Sequence, residues 1–309
     1  MKFAGRVNSL GFQSHETVLQ IVESYKKVPG MTHLEFNYPE HFKDLDLKVL
    51  KEAIGTMKVN GVATRFKAPF VAGEFTNASE KVRRDAVQLC KDAIDACRYI
   101  GGDFLTVWQA YDGFDYPFQI DYERAWKLQI EAFQEICDYG KDLKISIEYK
   151  PFEPRSYALL DSIGTTLLAV KEINRTNIGV TLDFCHMLMK HDCPANALAL
   201  AAKDGKLYGL HMNDGHGFMD NGLIFGTVNA AQALEFVYYL NKYKYDNVVF
   251  FDTFPVRENA TEEIAANIEM FNSMNSAVNK VGLDKIEATL ALQDGIASQK
   301  LILELLRNM

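Results

Sequence analysis

Short apolar runs recur along this chain, and longer stretches with apolar residues at helical spacing separate them. The runs lie at 2–9 (KFAGRVNS), 32–37 (THLEFN), 60–66 (NGVATRF), 103–108 (DFLTVW), 144–149 (KISIEY), 178–184 (IGVTLDF), 207–213 (LYGLHMN) and 247–253 (NVVFFDT). Each has strand length and reads as a buried parallel strand. Helical patterns fill 15–27, 46–57, 78–99, 121–140, 161–174, 195–203, 228–243 and 259–281. In the third of these, Val82, Ala86, Leu89, Cys90, Ile94 and Cys97 fall on one stripe, and Gly101-Gly102 stops it. Eight such βα repeats predict one closed (β/α)8 TIM barrel over residues 1–282. An open doubly wound sheet would carry a glycine-rich phosphate turn after its first strand, and no G-x-G-x-x-G stands there. Residues 283–309 form a C-terminal helical extension of two short patterns, an oligomer contact or a cover for the barrel's bottom.

Alternation within the runs sorts their faces. Ser146, Glu148 and Lys150 oppose Ile145, Ile147 and Tyr149; Gly179, Thr181 and Asp183 oppose Ile178, Val180 and Leu182; Gly209, His211 and Asn213 oppose Tyr208, Leu210 and Met212. The bulky face packs under helices, and the small and polar face lines the barrel. In NVVFFDT both faces are apolar, so Asp252 stands alone as a charge that needs a partner. Glu148, Asp183, His211 and Asp252 therefore close four successive strands. Catalytic groups of such barrels come from strand C-termini. Three carboxylates and one imidazole converging there suit a hard to borderline divalent cation.

The net charge of −8 disfavours nucleic acid as a partner, because phosphate binding needs a basic surface. No apolar stretch is long enough for a membrane span, and the first residues lack the core of a signal peptide. A cytoplasmic location is the default expectation. The five cysteines show no C-x-x-C spacing and read as free thiols, with Cys185 and Cys193 weak candidates as ligands.

Other residues add to the mouth. His186 follows Asp183 by three positions, and Lys150 shares the face of Glu148. The loop after the seventh strand carries Asn213, Asp214, His216, Asp220 and Asn221, either as a polar lid or as a second cation site. Trp108 ends the fourth strand and suits a sugar face. Arg257, beyond the eighth strand, is a further substrate-binding candidate, and Arg155 a brace between loops. His33, Glu35 and Arg65 are additional pocket candidates.

The run EYKPFEPR at 148–155 resembles the E-x-K-P-x-E-P-R run of xylose isomerases, and LDFCH, LHMND, Asp220 and FFDTFP follow in matching order. From Trp108 to Arg257 the chain resembles the xylose-isomerase-like TIM barrel superfamily, which includes L-rhamnose isomerase and D-tagatose 3-epimerase. The resemblance implies one divalent cation, most often Mn2+, with Mg2+ or Co2+ as alternatives, held by Glu148, Asp183, His211 and Asp252. It implies substrate contacts from Lys150, Trp108 and Asp220. His186 matches a histidine of the second site in two-metal isomerases. That pattern breaks at Gly222, where a second acid would stand, which favours proton transfer at one metal over hydride shift. The implied reaction is isomerisation or epimerisation of a keto-sugar through an enediolate, with Glu148 or Asp252 as base and Lys150 and His186 holding oxygens. The alternative is the larger subunit of a C-glycoside deglycosidase, a lyase acting on 3-oxo-glycosides with a small β-rich partner. Otherwise a homo-oligomer is expected. A metal-free binding or scaffold protein is the remaining class.

Overall fold

The computed structural model describes residues 1–14 and 16–309, with side chains described outside 12–15. Residue 15, where the sequence pattern starts its first helix, lies outside the described residues. Eight parallel strands close into a barrel. They are β1 (Lys2–Arg6), β2 (His33–Tyr38), β3 (Lys58–Thr64), β4 (Phe104–Trp108), β5 (Lys144–Glu148), β6 (Ile178–Asp183), β7 (Leu207–Met212) and β8 (Val248–Phe251). Neighbours in sequence are neighbours in space, and β8 pairs with β1 from Lys2↔Val248 to Gly5↔Phe251. This is the barrel that eight short buried runs alternating with helices predict.

The outward faces of the strands carry Val107, Ile145, Ile147, Val180, Leu182, Leu210, Met212, Val249 and Phe251, all buried in one core with the surrounding helices. Inside the barrel, Ala4, Val248 and Phe250 form a separate small cluster. The Phe104 ring crosses the interior from β4 towards β7. A Cβ on Gly209 would stand 2.8 Å from Phe104 Cζ and 2.5 Å from Thr181 Oγ1. Gly209 thus leaves the space that the ring fills, and this packed layer is the floor beneath the four strand-end residues.

Two segments differ from the sequence reading. The first strand ends at Arg6, and Val7–Ser14 turns into a helix. The chain from Phe184 to Lys190 is also a helix, started by Asp183, whose Oδ1 accepts from the His186 N–H at 2.9 Å. With seven residues and almost no polar face it shows no amphipathic period. After β4 and β5, Gly113–Phe114 pairs antiparallel with Tyr157–Ala158 and ties two mouth loops together. Arg155 braces the same loops through Asp115 at 3.1 Å and the Tyr111 carbonyl at 3.4 Å. The C-terminal helices Leu283–Leu292 and Gly295–Arg307 lie against the outer helices Ala230–Lys242 and Ala260–Val281, where Leu234, Tyr238, Ile286 and Leu305 line a shared cavity of 260 Å³. No helix among the described residues is long and apolar enough to cross a membrane. Four of the five free cysteines are buried, and Cys193 is exposed.

The floor makes a stability prediction. Gly209→Val overpacks the layer against Phe104 and Thr181 and is expected to cost about 1–3 kcal/mol. Urea unfolding of the variant beside the parent checks it; an unchanged midpoint would show that the ring does not need this space.

Candidate metal centre

The strand register gathers the site. Trp108 pairs with Glu148 and Asp183 with His211, while Glu148 is level with Thr181, so the site steps up by two residues between β5 and β6. Asp252 follows β8 by one residue. One ligand atom from each of Glu148, Asp183, His211 and Asp252 lies within 4.8 Å of the other three, and all four residues are buried. His211 Nδ1 stands 3.1 Å from Glu148 Oε1 and 3.9 Å from Asp252 Oδ2. Neither ring nitrogen of His211 makes a well-formed hydrogen bond. A buried imidazole left that way, facing three carboxylates, fits a cation as the missing partner.

The electrostatics show strain that a cation would relieve. Burial and the charges of Asp220, Glu148 and Asp252 push the Asp183 carboxyl up to about 7, against the pull of His186. Burial also pushes Glu148 up, but His211 and His186 outweigh it and hold it at about 2. Burial disfavours charge on His211, yet Glu148 and Glu35 raise it well above the usual imidazole range. Protons thus sit where positive charge is needed. A divalent ion supplies the same charge at one point and releases them.

A second ring of side chains fixes the first. Glu35 Oε1 lies 3.4 Å from His211 Nε2, the nitrogen turned away from the other ligands, and so can set the ring's tautomer. A register shift between Leu34 and Glu35 leaves Asn60 facing Glu35, to which its amide donates at 2.5 Å. Asn213 Nδ2 donates to Asp183 Oδ2 at 2.9 Å and to the Asp252 carbonyl at 3.1 Å. Arg6 Nε lies 2.8 Å from Asp252 Oδ1, with its guanidinium 4.5 Å over the Phe254 ring.

The mouth gathers most of the other candidates. His186 is buried, with Nδ1 2.9 Å from the Tyr149 carbonyl and Nε2 3.2 Å from Asp220 Oδ2. Burial would lower its pKa, but Asp183 and Asp220 outweigh burial and raise it to about 9, so both nitrogens carry protons to donate. Lys150 Nζ meets the same Asp220 oxygen at 3.1 Å and Glu153 Oε2 at 3.0 Å. Its ammonium stands 5.5 Å from the Trp108 ring centre, and Arg65 stands 5.3 Å from the same ring.

Other candidates lie elsewhere. Arg257 is exposed and lines a cleft of about 750 Å³ with Arg6 and Phe254, outside the four-residue cluster. His33 sits at the opposite end of the barrel, in a cavity with Lys2, Lys58 and Lys144. The loop after β7 gathers no second cluster among the described residues. Its Asp214 is taken by the backbone N–H groups of Val228 and Asn229, and His216 stacks on Phe218. Gly222 has φ +55°, and a Cβ there would stand 2.4 Å from Phe254 Cδ2, so an acid at that position would be strained and would have to displace the ring. Arg6 escaped the sequence reading because a strand drawn to residue 9 puts it in mid-strand. Its inward parity with Ala4 was the available signal.

Comparison with known proteins agrees with this architecture. A xylose isomerase of Thermus thermophilus is 26% identical over 238 residues, covering 74% of this chain and 62% of that protein. The chain thus spans less than two thirds of that relative's length. Among solved structures, a D-tagatose 3-epimerase-like protein superposes with TM-score 0.69 at 21% identity, covering 91% of this chain and 99% of that one. The IOLI protein with a bound zinc atom superposes with TM-score 0.68 at 19% identity, covering 89% and 98%. The family profile described as xylose isomerase-like TIM barrel matches residues 9–274, and the chain belongs to that family.

Proposed function

We propose that the chain is a sugar epimerase or isomerase that moves a proton beside the carbonyl of a ketose, with one divalent cation held by Glu148, Asp183, His211 and Asp252. The observation that carries this reading is the convergence of four buried ligand atoms at the C-terminal mouth of the barrel. The donor set suits Mn2+ best and also admits Mg2+ or Co2+. When bound, the cation supplies a Lewis acid that polarises the carbonyl and its neighbouring hydroxyl and favours the enediolate.

The chain's own residues do the proton work. Glu148 and Asp252 enter from β5 and β8, so one carboxylate can take the proton beside the carbonyl and the other can return one from the far side. Arg6 fixes the orientation of Asp252. Lys150 and His186 both direct N–H groups at Asp220 Oδ2, which marks a preorganised place for a negatively polarised oxygen. Trp108 gives an apolar wall that keeps water from one side of the substrate. Sugar-processing relatives in the same family support this class of substrate.

Glu148→Gln tests the reading. In metal-loaded protein, exchange of the proton beside the carbonyl of a ketose into deuterated water is expected to fall by about 100-fold or more, with metal content measured in the same sample. Unchanged exchange in a variant that still holds the metal would sink the proposal. Release of a free aglycone from an oxidised C-glycoside, without an isomeric sugar, would assign the same proton removal to elimination instead. The one-metal reading adds a second expectation. Gly222→Asp puts an acid into a left-handed backbone position against Phe254, and is expected to cost about 1–3 kcal/mol without raising the metal stoichiometry. Thermal unfolding and metal analysis check both halves; a second equivalent of metal in the variant would contradict it.

A further inference from the structure

We propose that the sugar this site accepts carries a carboxylate, and that Arg65 and Trp108 bind it; the proposal rests on the ketose reading above. Arg6, Lys150 and Arg65 are among the cations of the mouth, and the first two are matched. Arg6 pairs with Asp252 at 2.8 Å, and Lys150 pairs with Glu153 and Asp220 at 3.0 and 3.1 Å. Arg65 is the third. It follows the last residue of β3, two positions beyond Ala63, which pairs with Thr106 and Asn37 on the barrel-lining face. Its backbone N–H reaches the Tyr38 carbonyl and its guanidinium lies over Trp108, but among the described residues no carboxylate comes within ion-pair reach of it.

A second donor beside it is also unmatched. Trp108 Nε1 is buried and has no acceptor among the described residues. Trp108 is in register with Glu148 on the next strand, and Arg65 stands one strand further on, at the end of β3. The buried indole N–H carries a desolvation cost that an oxyanion held by the partly exposed Arg65 guanidinium would relieve. A carboxylate fits better than a phosphate. Its flat pair of oxygens matches the guanidinium fork, and its single charge matches the one charge of Arg65. A phosphate dianion would bring a second charge towards Glu148 and Asp220. The carboxylate would mark the end of the substrate remote from the reacting carbons.

Calorimetry on the metal-loaded protein tests this with D-fructuronate, its methyl ester, D-fructose and D-fructose 6-phosphate as probes. The uronate is expected to bind about tenfold or more tightly than its ester, with the advantage shrinking as salt rises. Arg65→Gln is expected to reduce that gap to about twofold, the range left by removing one charged hydrogen-bond donor, with folding checked by thermal unfolding. Equal binding of acid and ester, a preference that survives Arg65→Gln in a folded variant, or tighter binding of the phosphate would each overturn the proposal. Arg65-dependent uronate binding without any proton exchange supports it, and places the failure in the isomerase reading instead.

Discussion

Three carboxylates confined in one buried space repel each other, and much of the barrel's upper half is arranged around that repulsion. Moving charges out of water is costly, and like charges at a few ångströms raise the cost further. The chain still brings Glu148, Asp183 and Asp252 within 4.8 Å of each other and of His211. Burial first, and the neighbouring carboxylates after it, push the Asp183 carboxyl up to about 7. A divalent cation is the direct physical answer to such a cluster. Its charge replaces the protons that otherwise neutralise the site.

The neighbouring residues follow from that constraint. Arg6 takes one oxygen of Asp252, Asn213 bridges Asp183 and the backbone after β8, and Glu35 stands behind His211. Each leaves the inward-facing atoms of its partner turned to the centre. Below them, the Phe104 ring and the cluster of Ala4, Val248 and Phe250 fill the barrel and give the ligands a dry, rigid base. Above them, Lys150 and His186 share one oxygen of Asp220, so the mouth already holds donors around an acceptor. The same arrangement that neutralises the cluster therefore shapes where a substrate oxygen can sit.

Much of this was legible in the chain because a barrel strand alternates strictly. KISIEYK, IGVTLDF and LYGLHMN each put small or polar residues on one face, and a one-residue slip would have turned Glu148, Asp183 and His211 outward. Asp252 was legible for a different reason, as a lone charge in an apolar run. Glu35 and Arg65 were visible as pocket candidates, but the contact of Glu35 with His211 depends on strands far apart in sequence. Arg6 was hidden by a boundary error, since the helix at Val7–Ser14 interrupts what reads as one apolar run. The helix at Phe184–Lys190 was hidden by its shortness and lack of a polar face, and its start is set by Asp183 itself. Gly222 shows the limit most clearly. The sequence marks a missing acid, but only the positive φ and the Phe254 ring show that a side chain there would be strained.

The most direct test of the central claim is the metal stoichiometry of the whole chain and of variants in the four strand-end residues. After loading with Mn2+ and removal of excess by gel filtration, the parent is expected to hold about one equivalent, and Asp183→Asn and His211→Gln less than about a tenth. A parent that holds less than about a tenth of an equivalent after reloading, or variants that hold as much as the parent, would contradict the account.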